Sequence, residues 1–441
     1  MKRTIESLSF GIILVVVALR PLVAESYDSA GNPMTAALGT VSDPSPVRTL
    51  VFDMAILVSA VGWLVARAIG SHQRYRRTGL EWGSLIIVLA AIVSCCFAGH
   101  KRLAINATID WLCYLVLTIV LVQLLRHRWQ QRVLIAAIVG TACVQAVQCF
   151  DQYFVGFEDT WAQYQEIKDG FWARQGVDQD SAKVELFESR LRARESSGFL
   201  PHSNLTGSYL MLCGLVVLGV SVSGLRQSKN FKSVLATVGC GVLATGILAA
   251  VLTTKSKGAI VAGVLGLGLW ILIRLARHWI DSHRTRALLI GWLLAAIGLS
   301  STVGLGLMND RLPHMSLTFR WQYWKTSAQL IADHPLAGVG RENFGRHYLQ
   351  YKTIDSPEEV SNPHDLFVQA AADWGLPGLT GLIVAMIGVS LTLVRRPIDQ
   401  AEGGGQGRTT DRPRPEIWWG LFAVVALALF RLPLLDAPPS E

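Results

Sequence analysis

Charge is scarce in this chain: 16% of its 441 residues are Asp, Glu, Lys or Arg, while 51% are hydrophobic. With a mean hydropathy of +0.38, that balance excludes an ordinary soluble protein. Cysteine is sparse and misplaced for a scaffold. All seven (Cys95, Cys96, Cys113, Cys143, Cys149, Cys213 and Cys240) fall in apolar segments, so no disulfide framework or zinc spacing is offered. There is no internal repeat of the kind that marks the inverted halves of a secondary transporter. Low complexity is limited to Gly403-Gly404-Gly405, in a stretch that reads as a flexible cytoplasmic connection.

What the chain has instead is one apolar segment after another, each near the roughly 20 residues that span a bilayer core. About eleven spans are expected by hydropathy, near residues 8–24, 49–68, 82–98, 103–125, 133–150, 204–224, 233–252, 258–273, 287–307, 365–394 and 417–435. The expected fold is all-α: a polytopic helical membrane protein whose large outer loop contains an amphipathic helix. The segments divide into an N-terminal transmembrane bundle (1–150), an outer loop (151–203), central transmembrane helices (204–308), a large periplasmic loop (309–363) and C-terminal transmembrane helices (364–441).

Orientation follows from Lys and Arg, which concentrate in short cytoplasmic loops. Lys2 and Arg3, the cluster Arg67, Arg74, Arg76 and Arg77, Arg126 to Arg132, Arg226 to Lys232, Arg274 to Arg286, and Arg395 onward alternate correctly with the spans. The N-terminus is therefore expected in the cytoplasm, with 151–203 and 309–363 outside. The net charge of +8 is then topology, with no nucleic-acid partner needed to explain it. The first segment, running to Leu22-Val23-Ala24, also has the build of a secretory signal. Arg20 and Pro21 interrupt the approach to a cleavage site, and a retained helix is the favoured reading.

Cations on the outer side are more telling, because the insertion rule does not ask for them. His100, Lys101 and Arg102 sit in one short outer turn, and Thr253-Thr254-Lys255-Ser256-Lys257-Gly258 forms another. At the membrane surface such groups neutralise a phosphate or anchor to lipid headgroups. The segment before the sixth span carries Arg190, Arg192 and Arg194, then Ser197-Gly198-Phe199 and His202 to Asn204, where Asn204 either caps the helix or approaches a ligand. Asp178 and Asp180 have the spacing of a metal-binding acidic pair, a pattern that arises often by chance.

The polar stretch from Arg311 to Gly378 concentrates Arg, His and Trp between two long apolar segments. It opens with a helix in which Leu317, Trp321, Trp324, Ala328 and Ile331 mark the apolar face, and Arg320 projects from a neighbouring one. A Gly-rich turn, Asp333 to Gly345, follows; without a preceding strand or βαβ unit it is not a dinucleotide loop. His364, at a helix start beside Asp365, is placed to take a proton from a hydroxyl at neutral pH.

Together these residues resemble the O-antigen ligase and O-antigen polymerase superfamily of bacterial envelope glycosyltransferases. The likeness covers roughly 190–394. It rests on Ser197-Gly198-Phe199 to Asn204, Thr254 to Gly258, Arg320 to Gly345, and His364-Asp365-Leu366 with Ala372-Asp373-Trp374-Gly375-Leu376-Pro377-Gly378. Family members commonly carry Asn where this chain has Asp365, Ser-Arg where it has Ser256-Lys257, and Glu where it has Asp373.

The resemblance implies a metal-independent, inverting transferase with no cofactor. Located in the bacterial inner membrane, it would move a glycan from a polyprenyl diphosphate carrier to an acceptor hydroxyl on the outer face. It implies catalytic roles for His364, Asp365 and Arg320, and binding of diphosphate or substrate by Arg194, Asn204, Lys255, Ser256, Lys257 and Arg341. The expected partners are the lipid-linked glycan donor, a glycan or lipid-core acceptor and the bilayer. A ligase reading is preferred narrowly to a polymerase one. Transfer to protein and, in a different class, transport of the lipid-linked glycan without chemistry are the alternatives.

Overall fold

Apolar runs without internal breakers fold as helices, because a backbone in hydrocarbon must satisfy its own N–H and C=O groups. The computed structural model describes residues 2–23, 46–69, 75–174, 176–178, 180–225, 230–313, 315–352 and 360–394, and every regular element among them is helical. In chain order these are α1 (Lys2–Leu19), α2 (Pro46–Ala68), α3 (Glu81–Phe97), α4 (Lys101–Leu124), α5 (Arg128–Asp151), α6 (Phe157–Arg174), α7 (Ala182–Ala193) and α8 (Ser203–Leu225). There follow α9 (Phe231–Thr253), α10 (Lys257–Leu275), the short α11 (Arg277–Ser282), α12 (Arg284–Asn309), α13 (Met315–Asp333), α14 (Phe344–Tyr351) and α15 (Leu366–Val394).

Among the described residues, nine helical stretches are long and apolar enough to cross a membrane, and α3 is a shorter apolar helix of 17 residues. With α3 counted, ten of the expected spans are helices of an all-α polytopic membrane protein. The span expected at 417–435 and the Gly403–Gly405 linker lie outside the described residues. Residues 151–203 are more ordered than the word loop suggests. From α5 the chain passes through a π turn at Gln152–Gly156 into α6, and then returns as α7. No proline interrupts 157–193, and a small core of Tyr164, Trp172, Val184, Phe187 and Leu191 closes the α6–α7 hairpin.

The described residues fall into two compact units, one drawn from Met1–Gln73 and Val116–Leu267, the other from Arg74–Leu115 and Gly268–Ala426. In the first, α5, α8, α9 and the start of α10 pack through Ala142, Ala146, Leu210, Cys213, Ala244, Ile247 and Ala259. Small side chains let helix backbones approach closely where lipid supplies no hydrophobic drive. A second cluster joins Phe10 and Ile13 of α1 to Val120 and Leu124 of α4.

In the second unit α3 lies along α15, with Ile87, Ala90 and Ala91 against Ala370, Trp374 and Leu382. Residues of α13, α14 and α15 share a core of Tyr323, Leu330, Phe344, Tyr348 and Ala372.

The feature that shapes this unit is a break in α15. Gly375 has φ 69° and ψ −175°, and Pro377 follows it inside the helix. In an unbroken helix the Leu376 amide would bond the Ala372 carbonyl, and residue 377 would bond that of Asp373. Here the turn after α13 supplies the missing partners. Val339 N–H donates to the Ala372 carbonyl at 2.8 Å, Gly340 N–H to the Asp373 carbonyl at 3.0 Å, and Leu376 N–H to the Pro335 carbonyl at 2.7 Å. Ser94 Oγ adds a second donor to the Asp373 carbonyl, 2.6 Å away. Glycine is needed on both sides of this lock. A Cβ on Gly338 (φ 63°) would fall 2.5 Å from the Ala372 carbonyl oxygen, and one on Gly375 would fall 2.6 Å from the Leu336 carbonyl.

Candidate functional site

Packing decides which face of α13 is buried. Arg320, Tyr323, Ser327 and Leu330 recur at helical spacing and are all buried, together with Trp321. Ala328 is exposed, and Trp324 and Ile331 are half-buried. This corrects the apolar face expected from the sequence. Arg320, expected on a neighbouring face, lies within the interface, only 2% exposed. A guanidinium so placed is stable only where charge or hydrogen-bonding groups meet it, and the Asp365 carboxylate is close enough to interact with its charge.

Asp365 begins α15. Its Oδ1 accepts the Phe367 and Val368 amides, each at 2.9 Å, which is the N-cap arrangement. Burial pushes its carboxyl above the usual carboxylate range, while the two amides and the Arg320 charge draw it partly back.

His364 stands just before, with φ 50°, in the left-handed region that non-glycine residues enter at a cost. Its amide donates to Asn362 Oδ1 at 3.0 Å. Trp324 Nε1 holds the preceding Pro363 carbonyl at 3.2 Å. The half-buried His364 ring faces that of Tyr323, with centroids 5.9 Å apart. Thus α13 and the start of α15 bring together Arg320, Tyr323, His364 and Asp365.

Arg341 occupies a different place. Its NH1 is 3.2 Å from Asp373 Oδ2, and its guanidinium lies 5.7 Å from the centre of the Trp374 ring. Asp373 is fully buried. It is eight positions beyond Asp365, about 12 Å along a helix. The contacts of Arg341 are those of a pin at the helix break.

The remaining candidates gather in the other unit. Ser196 N–H donates to the Thr253 carbonyl at 3.1 Å, so the turn after α7 lies beside the turn before α10. Arg194 ends α7 in a left-handed conformation, and its NH1 meets Glu158 Oε1 at 3.1 Å. Lys255, also left-handed, donates through Nζ to the Ala193 carbonyl. Ser256 is buried and its Oγ accepts the Ala259 amide at 3.3 Å, a capping role at the start of α10. Lys257 is exposed. Asn204 falls in the first turn of α8, which begins at Ser203; this corrects the reading of it as a cap.

Two residues that sequence reasoning missed hold this turn in place. Gln152 Oε1 accepts the amides of Ser197 and Gly198 at 3.1 and 2.9 Å, and its Nε2 returns a bond to the Gly198 carbonyl at 3.0 Å. Gln145 Oε1 accepts the Phe199 amide at 3.0 Å. The available signal was two glutamines seven residues apart, on one face of an apolar helix. Tyr323 and Asp373 were also missed as partners of His364 and Arg341. Asp178, read as half of an acidic pair, accepts the Asp180 amide at 3.3 Å in a local turn.

A family model described as O-antigen ligase matches residues 242–383. No curated protein and no solved structure matches the chain. The matched stretch runs from within α9 to within α15. It takes in Lys255, Ser256, Lys257, Arg320, Arg341, His364 and Asp365, while Arg194 and Asn204 precede it. Through residues 242–383 the chain is similar to the O-antigen ligase family.

Proposed function

We propose that this protein transfers a glycan from a polyprenyl diphosphate carrier to an acceptor hydroxyl at the outer face of the bacterial inner membrane, in the manner of a ligase. The observation that carries the reading is the buried Arg320 on the same helix as Tyr323, with His364 against that tyrosine and Asp365 capping α15.

In the proposed reaction His364 takes the proton of the acceptor hydroxyl. The freed oxygen attacks the anomeric carbon, and the bond from that carbon to the diphosphate oxygen breaks. One displacement of this kind inverts the anomeric configuration. The leaving diphosphate gathers negative charge, which Arg320 stabilises from a site that excludes water and needs no reorganisation. Its planar fork suits two phosphate oxygens better than an ammonium would. The family likeness also implies binding of diphosphate or substrate by Lys255, Lys257, Arg194, Asn204 and Ser256, which belong to the other compact unit. Asp365 keeps Arg320 and the helix start in register. Arg341, assigned to substrate by the family likeness, is proposed to act through the shape of the break.

Purified protein reconstituted with a polyprenyl diphosphate-linked glycan and candidate acceptors, in chelator, tests the reading. It requires transfer with stoichiometric release of polyprenyl diphosphate. Binding or translocation of the lipid-linked glycan without its consumption, across all acceptors, would make the protein a transporter. Lengthening of the lipid-linked glycan itself would make it a polymerase.

A further inference from the structure

Outside the Arg320–His364 region, one stretch of surface gathers positive charge from two distant parts of the chain. Asn343 is fully buried and joins them. Its Oδ1 accepts the His100 amide at 2.9 Å, and its Nδ2 donates to the His100 carbonyl at 3.4 Å and to the Arg341 carbonyl at 3.1 Å. This two-way bridge sets the start of α14 beside the α3–α4 turn. As a result Arg346 NH1 lies against His100 Nε2, with Lys101 and Arg102 next in the chain. His347 packs over Gly99, its Nδ1 3.1 Å from the Asn343 carbonyl. His100, Lys101, Arg102 and Arg346 are all exposed.

The cluster is short of counter-charge. Among the described residues Lys101, Arg102 and Arg346 form no salt bridge, and the adjoining turn contributes one exposed acid, Glu342. Asp373 is committed to Arg341. Like charges gathered on one surface repel, and more beside a low-dielectric bilayer than in water. An anion between them would turn that repulsion into attraction, and the oxygens of a phosphate suit guanidinium forks, an ammonium and imidazole N–H groups alike.

We infer that His100, Lys101, Arg102, Arg346 and His347 form a second anion site, separate from Arg320 and His364, that takes a phosphate-type group. The group is carried either by a glycolipid acceptor or by an anionic lipid headgroup. The site stands whether or not the proposed transfer reaction does.

The test is nitrogen-15 histidine NMR of the full chain in nanodiscs of neutral phosphatidylcholine, with inorganic phosphate titrated in. His100 and His347 resonances, assigned by loss in His→Gln variants, should shift together along a saturable curve. A Lys101→Gln, Arg102→Gln, Arg346→Gln variant, altered only at exposed positions, should weaken that binding about tenfold or more. Arg320→Ala should leave it unchanged, which separates this site from the proposed reaction. Repetition with phosphatidylglycerol in the discs identifies the source: signals already at their saturated positions assign the site to lipid headgroups, and continued titration assigns it to a soluble or acceptor-borne phosphate. Absence of a saturable shift in both discs, or a curve that survives the triple substitution, overturns the inference.

Discussion

The Gly340 amide donates to the Asp373 carbonyl at 3.0 Å, where Pro377 leaves α15 without a donor of its own. The turn after α13 is therefore a missing piece of α15, and the break is stabilised by it. Each bond of this kind contributes about 0.5–1.5 kcal/mol in water, and leaving its partner unmade in a membrane costs several kcal/mol. The same lock fixes the spacing between α13, which bears Arg320, and α15, whose start bears His364.

Substituting Gly375 by Ala is expected to destabilise the protein by about 2–4 kcal/mol, combining left-handed backbone strain with a clash against the Leu336 carbonyl. Ser94→Ala removes one of two donors to the Asp373 carbonyl and should cost about 1 kcal/mol. Thermal unfolding in detergent measures both. A Gly375→Ala protein that melts with wild type would mean the turn does not hold the break.

The Arg341–Asp373 pair gives a sharper contrast. Arg341→Gln leaves a buried carboxylate short of its cation and is expected to cost about 1–3 kcal/mol. Asp373→Asn in the same chain should restore part of that loss. Two additive losses in a double-mutant cycle would show that the residues are not coupled.

Asp365 carries a pH dependence whose sign can be worked out. Its carboxyl is raised in the folded protein, chiefly by burial. The folded state therefore binds more protons than the unfolded state between the ordinary carboxylate range and the raised value, and stability falls as pH rises through that window. Asp365→Asn keeps the cap and removes the ionisation. The difference in melting temperature between variant and wild type should move in the variant's favour as pH rises through that window. A gap independent of pH would contradict the assignment.

Gln152→Ala removes three hydrogen bonds from the Ser197–Gly198 turn and should destabilise by about 1–3 kcal/mol. Amide exchange in residues 196–199 should accelerate while α9 stays protected. Unchanged exchange there would show that Gln152 does not hold the turn.

The spans were legible because a lipid-facing helix must be apolar over most of its length, and ten of them stand where hydropathy put them. Arg320, His364 and Asp365 stand out in the sequence by residue type, and the chemistry assigned to them is the proposal above. The lock between the turn and α15 was not, because its bonds are between backbone groups and leave only Gly338, Gly340, Gly375 and Pro377 as traces. The buried face of α13 was misread for a related reason. Arg320 and Ser327 look like surface in a sequence, and only the packing of α14 and α15 over them shows that they lie inside. Gln145 and Gln152 leave a readable signature in the sequence, polar residues in register on an apolar helix.

The proposed chemistry rests most heavily on Arg320 and His364. The most direct measurement is release of polyprenyl diphosphate from a lipid-linked glycan by the reconstituted protein, compared between wild type, Arg320→Ala and His364→Ala at equal expression and equal fold by circular dichroism. Release coupled to glycan transfer in wild type, reduced at least about a hundredfold in each variant, is the expected result. Transfer at wild-type rates by a folded His364→Ala protein would contradict the account.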